Sequence, residues 1–180
     1  MAMRQSRTNK PRPPFDRQAL EERALAYAGR FATSRAKLAA YLRRKLRERG
    51  WSGADDPPVD DIVGRMAALG YVDDRAFAAA RATSFGRRGY GIRRLGEALR
   101  AAGIEEEDAA EARELAETGA WQAALRYAER RRIGPFAAAE ADRPGREKAL
   151  AAMLRAGHPM GLAQLLVRSR PGEIPDPDSV

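Results

Sequence analysis

Residues 57–70 read PPVDDIVGRMAALG, and the apolar residues Val59, Ile62, Val63, Met66 and Leu69 fall at i, i+3, i+4, i+7 and i+10. That spacing lays a single apolar stripe along a helix, with prolines before its start and Gly70 just past its end. Working outward, comparable stripes run through Leu20, Ala24, Tyr27 and Phe31, through Leu38, Tyr41, Leu42 and Leu46, and through Ile92, Leu95 and Leu99. Others join Ala149, Leu150, Met153 and Leu154, and Leu162, Leu165 and Leu166. Weaker ones link Phe77, Ala80 and Phe85, then Ala109, Ala112 and Ala116, then Trp121, Leu125 and Ala128. Alanine, leucine, arginine and glutamate dominate the chain while β-branched residues are sparse, so the prediction is an all-α fold of about nine helices.

The helix ends recur. LRERG ends at Gly50, LRAAG at Gly103 and MLRAG at Gly157, each reading as a last helical turn closed by a glycine. Trp51 and Ile104 follow their glycines and can supply the apolar contact of such a cap, whereas His158 breaks that pattern. Phe31-Ala32, Phe85-Gly86 and Ile133-Gly134 mark a second set of matching breaks. The reading is three tandem three-helix repeats over residues 16–70, 71–118 and 119–170, too small to bury their stripes alone and stacked on one another. Residues 1–15, with Arg4, Arg7, Lys10 and Arg12 and no periodicity, are expected to be a disordered basic tail. Residues 171–180, rich in proline and acid, are expected to be a second disordered tail.

Of 180 residues, 33 are Lys or Arg, only four of them lysine, against 25 Asp or Glu, giving a formal charge of +8. An anionic partner follows from that balance. The absence of cysteine and the presence of one histidine, His158, remove thiol chemistry, disulfide frameworks and Cys/His zinc sites, and argue against an enzyme. No secretory signal or membrane-length apolar run is present, so the expected location is the cytoplasm.

The positive charge comes in blocks. Arg35, Arg43, Arg44, Lys45 and Arg47 stand in the first repeat, Arg87, Arg88, Arg93 and Arg94 in the second, and Arg130, Arg131 and Arg132 in the third. Stacked with a regular offset, these blocks would form a basic stripe suited to a phosphate backbone or an acidic protein groove. The acids Glu105 to Asp108 with Glu111, Glu114 and Glu117 have a structural reason to lie at a helix start and show no loop spacing for a cation, so no metal or other cofactor is expected. In Gly70-Tyr71-Val72-Asp73-Asp74-Arg75-Ala76-Phe77, Gly70 ends one helix, Asp73 or Asp74 caps the next, and Tyr71 and Phe77 pack across the turn. The sequence GRRGYG at 86–91 lacks the Lys-Ser/Thr of a phosphate loop and reads as an arginine-bearing turn. His158-Pro159 reads as a helix start with proline in its first turn.

The succession FATSRAKLAAYLRRKLRERGW, VDDIVGRMAALGYVDDRAFAAA and GRRGYGIRRLGEALRAAGI resembles the bacterial RecX family, regulators of the RecA recombinase. The resemblance covers roughly residues 20–168, and LGYVDDRAFA followed by G-x-x-R-R-L-x-x-x-L-x-x-x-G-I is its specific part. It implies an elongated, curved helical module lying in the groove of the RecA filament on single-stranded DNA. There the family blocks filament extension and lowers ATP hydrolysis, strand exchange and coprotease activity, restraining recombination, DNA repair and the SOS response. Contact with single- or double-stranded DNA is then direct or through RecA. The third repeat departs from the family pattern at Ala156 to Gly161, and a Pro/Gly-containing insert, Ala137 to Gly145, precedes it. An open-ended repeat is expected to be monomeric and away from membranes. The competing expectation from charge alone is an autonomous non-specific DNA-binding or nucleoid-associated protein.

Overall fold

The computed structural model describes residues 13–177, and the arginines and lysine of residues 1–12 and the last three residues lie outside it. The described residues form nine α-helices and one 3-10 turn, with no strand beyond an isolated bridge between Phe15 and Trp51. None of these helices is long and apolar enough to cross a membrane. By backbone contacts the chain divides into two compact units, one ending at Val72 and one beginning at Asp73.

The first unit holds α1 (Arg17–Ala28), α2 (Arg35–Arg49) and α3 (Val59–Ala68). Asp16 and Ser34 open α1 and α2 by accepting from the backbone N–H of Ala19 and Lys37. The stripes meet in one core, where Leu20, Leu38, Leu42 and Ile62 are fully buried. Each such side chain contributes about 1.5–3 kcal/mol. Phe15, which the sequence assigns to the N-terminal tail, belongs to this core: its N–H donates to Gly50 O at 3.0 Å and its carbonyl accepts from Ser52 N at 2.9 Å. An aromatic ring beside the exposed α2 end gains more from burial than it loses in chain entropy.

The second unit holds α4 (Asp74–Arg87), α5 (Ile92–Ala101), α6 (Glu106–Thr118), α7 (Ala120–Arg131), a 3-10 turn (Gly134–Phe136), α8 (Arg143–Arg155) and α9 (Met160–Arg168). Phe77, Phe85, Leu95, Leu99 and Ile104 centre one core within α4 to α6, and Tyr127, Met153 and Leu166 centre another within α7 to α9. Tyr90 packs against both. Asp73 caps α4, accepting from Ala76 N at 2.8 Å, and Asp74 is buried. Tyr71, read from the sequence as a packed residue, is 50% exposed.

Several helices end in the same way. At α3, α5 and α8 the glycine after the helix has positive φ (Gly70, 75°; Gly103, 67°; Gly157, 93°), and the next residue reaches back to the last turn. His158 does this too, its N–H donating to Met153 O at 3.2 Å, and it is fully buried. It therefore continues the pattern that Ile104 follows instead of breaking it, and α9 begins at Met160 with Pro159 outside the helix. The segment read as an insert is partly helical, because Asp142 caps α8 by accepting from Gly145 N and Pro144 sits where a missing N–H does no harm. Gly172, assigned by sequence to the second tail, donates its N–H to Pro135 O at 2.8 Å.

Candidate anion-binding site

The α4–α5 turn and the α8–α9 turn of the second unit are joined backbone to backbone. Gly91 N donates to Ala156 O at 2.9 Å and Arg93 N to Gly157 O at 3.2 Å. A β-carbon on Gly91 would lie 2.3 Å from the carbonyl carbon of Gly157, so only glycine permits this approach. His158 fills the space behind, its Nε2–H donating to Gly89 O at 3.2 Å and its ring 5.5 Å from that of Tyr127. A carbonyl can only accept, which fixes the Nε2–H tautomer and leaves Nδ1 buried without a partner. Burial holds the imidazole pKa below its ordinary value, against the smaller opposing effect of the bond to Gly89.

This seam carries arginines. Arg126 Nε donates to Gly86 O at 3.1 Å, Arg130 Nη1 to Arg88 O at 2.8 Å and Arg94 Nη1 to Arg155 O at 3.3 Å. The guanidinium of Arg94 lies 4.8 Å from the centre of the Tyr90 ring, with Arg88 at 5.1 Å, and Arg130 and Arg131 stand over Tyr127 at 5.4 and 5.9 Å. Held by carbonyls and ring faces, these groups lose less freedom on meeting a ligand than free surface arginines would.

Beside the seam opens a cleft of about 1040 Å³. Arg88 comes to it from the α4–α5 turn, Arg94 from the first turn of α5, Arg130, Arg131 and Arg132 from the end of α7, and Arg146, Lys148 and Arg155 from α8. No carboxylate lines it, and among the described residues none of these eight cations forms an ion pair. Its walls include small side chains, Ala137, Ala141, Ala149 and Ala152, which leave the space open. A concave surface of one sign concentrates counter-charge, and guanidinium groups match phosphate and carboxylate oxygens in pairs.

Arg132 has a further peculiarity. It closes α7 with φ 53° and ψ 52°, in the positive-φ region that glycine occupies after α3, α5 and α8, and its N–H donates to Glu129 O at 3.0 Å. It is the one non-glycine residue with positive φ among those described. An arginine placed where glycine is cheaper marks a position at which the side chain matters.

Of the cations singled out by sequence, five meet in the cleft: Arg88, Arg94, Arg130, Arg131 and Arg132. Arg87 and Arg93 are exposed and do not line it. In the first unit the α2 block is partly neutralised: Arg43 pairs with Asp60 at 2.8 Å, Lys45 with Glu48 at 2.5 Å and Arg44 with Glu48 at 3.6 Å, while Arg44 and Lys45 also face the Tyr41 ring. The Lys45 hydrogen bond is the main reason that the Glu48 carboxyl titrates below its ordinary range. Arg35 and Arg47 are exposed on the same helix. Sequence reasoning passed over Tyr90, Tyr127, Arg146, Lys148 and Arg155. The spacing makes neighbours of Arg146 with Ala149 and of Ala152 with Arg155 on α8, but not of the two arginines, so their sharing one cleft was not legible in the sequence. Among the described residues no group of three or more His, Asp or Glu side chains is placed to hold a metal ion.

The described residues are thus helical and carry a cationic cleft that no carboxylate lines. No family model matches the chain. The regulatory protein RecX of Myxococcus xanthus is 30% identical over 160 residues, 84% of this chain and 86% of that protein. The regulatory protein RecX of Thermus thermophilus is 40% identical over 84 residues, covering 47% of this chain and 56% of the relative. A crystal structure of RecX from Lactobacillus salivarius aligns with a TM-score of 0.60 at 15% identity, over 84% of this chain and 94% of that one. A second, a crystal structure of regulatory protein RecX, aligns at 0.58 and 21% identity over 83% and 70% of the two chains. Those structures share the all-α fold. The chain belongs to the RecX family of regulatory proteins.

Proposed function

We propose that this protein regulates the RecA recombinase filament on single-stranded DNA, limiting its extension, ATPase, strand exchange and coprotease activity. It acts in the cytoplasm, as a monomer and without catalysis of its own. Recombination, DNA repair and the SOS response are the processes it restrains. The observation that carries the reading is the cleft of the second unit, where eight cations stand with no carboxylate among them. Membership of the RecX family across most of the chain supports RecA as the partner. Arg35, Arg43, Arg44, Lys45, Arg47, Arg87 and Arg93 add a second, more diffuse set of contacts to the same anionic assembly, and several weak patches acting together give tight, salt-sensitive binding.

The test is the steady-state ATPase rate of the cognate RecA on single-stranded DNA, titrated with this protein beside a DNA-only binding assay at the same salt. Inhibition well below one copy per RecA, at concentrations where bare DNA is scarcely bound, is the expected result. Inhibition that begins only as the DNA saturates would make the protein a competitor for DNA, an autonomous DNA-binding protein instead of a filament regulator.

A further inference from the structure

We infer that the cleft beside α7 and α8 is a site for a free nucleoside polyphosphate, a ligand with a compact multiple charge at one end and a flat, weakly polar body at the other. The inference deepens the reading of the cleft as the anion-binding site of a regulator, and rests on that reading.

Three features of the cleft point to this ligand. The first is its size. At about 1040 Å³ it is a cleft on the scale of small-molecule and cofactor sites. The second is the density of charge. Arg131, Arg132, Arg146 and Arg155 bring four guanidinium groups to one cavity that no carboxylate lines, and the ligand such a set attracts most strongly carries several negative charges on one short group. Adjacent phosphates in a chain meet that condition. The acidic side chains of an extended peptide do not, because neighbours point to opposite sides of the strand. The third feature is the rest of the lining: Ala137, Ala141, Ala149 and Ala152 give an apolar wall of the kind on which a base or sugar lies.

Backbone conformation supports the assignment independently. Arg132 holds a left-handed φ of 53°, which an L-residue adopts against its preference, and in doing so it lines the cleft. Glycine follows α3, α5 and α8 with positive φ and without that strain.

The probe is ATP, measured by equilibrium dialysis against the full chain at about physiological ionic strength, where surface attraction is largely screened. Adenosine, inorganic triphosphate and a short single-stranded oligonucleotide serve as competitors. The expected result is saturable binding of one ATP per chain, with adenosine at least tenfold weaker and triphosphate weaker than ATP. The double variant Arg146→Ser/Arg155→Ser should lose at least tenfold in affinity, while Arg100→Ser, which does not line the cleft, should bind ATP as the parent does. Circular dichroism of each variant checks that the helices persist.

Failure of ATP to saturate at one per chain, or equal loss in Arg100→Ser and the double variant, would overturn the inference. Triphosphate binding as tightly as ATP would remove the nucleoside from it. An oligonucleotide that displaces ATP at equal phosphate concentration would give the cleft to a strand instead. Because dialysis uses neither RecA nor DNA, its failure leaves the ATPase titration of RecA free to succeed. Loss of RecA inhibition, in turn, leaves ATP binding measurable.

Discussion

Gly91 and Gly157 approach so closely that a single β-carbon on Gly91 would fall 2.3 Å from the Gly157 carbonyl carbon. Each glycine ends up beside a backbone hydrogen bond that crosses the seam, from Gly91 N to Ala156 O and from Arg93 N to Gly157 O. The close approach and the two bonds depend on each other, and the arginines of the cleft are built on both sides of them. The substitution Gly91→Ala must push backbone against backbone and should destabilise the protein by about 2 kcal/mol or more. Gly64, inside α3 with nothing near its missing β-carbon, is the control: Gly64→Ala should stabilise by about 0.5–1 kcal/mol. Urea unfolding of the two variants checks the pair.

Stability should fall with pH near neutrality because of His158. Its folded pKa lies below the free value of 6.5, so the unfolded chain takes up the proton first. The stabilisation is complete above about pH 6.5 and is lost as pH falls from there toward the depressed folded value, at no more than about 1.4 kcal/mol per pH unit. Denaturation midpoints between pH 7.5 and 5.5 should show this slope in the parent and not in His158→Gln. A flat profile in the parent would remove the argument.

At Arg132 stability and binding should part company. Arg132→Gly relieves the left-handed strain and should stabilise the fold by about 0.5–1 kcal/mol, while it weakens anion binding. Thermal unfolding and the ATP dialysis, run on one preparation, give both numbers. A variant that loses stability would show that the arginine is held there for packing.

Gly103 is the converse case. With φ at 67° it tolerates no β-branched side chain, and Gly103→Val should cost about 1 kcal/mol or more in chemical denaturation without altering the cleft.

The helices were legible because their stripes are regular: Val59, Ile62, Val63 and Met66 are all buried along α3, as a period of 3.6 requires. Helix ends were legible for a similarly local reason, the glycines with positive φ. The seam was not. GRRGYG shows three glycines in six residues, yet nothing in that string says that Gly91 meets a glycine 66 positions later, or that His158 reaches back to Gly89. Arginine content was visible too, but not its division of labour. Arg43 and Lys45 meet carboxylates whose nearness depends on the fold, whereas Arg131 and Arg146 come from different helices to one unneutralised cavity. Phe15 was assigned to a tail because one apolar residue has no period, and only the partnership with Trp51 and Gly50 shows it as core.

The most direct test of the account compares two charge reversals in the RecA ATPase titration: Arg131→Glu/Arg146→Glu in the cleft and Arg43→Glu/Arg44→Glu on α2. The cleft variant should require at least tenfold more protein for half inhibition, with unchanged helix content, and the α2 variant should lose clearly less because its arginines already face Asp60 and Glu48. Full inhibition by the cleft variant, or equal losses in the two, would contradict the assignment of the anionic partner to the cleft.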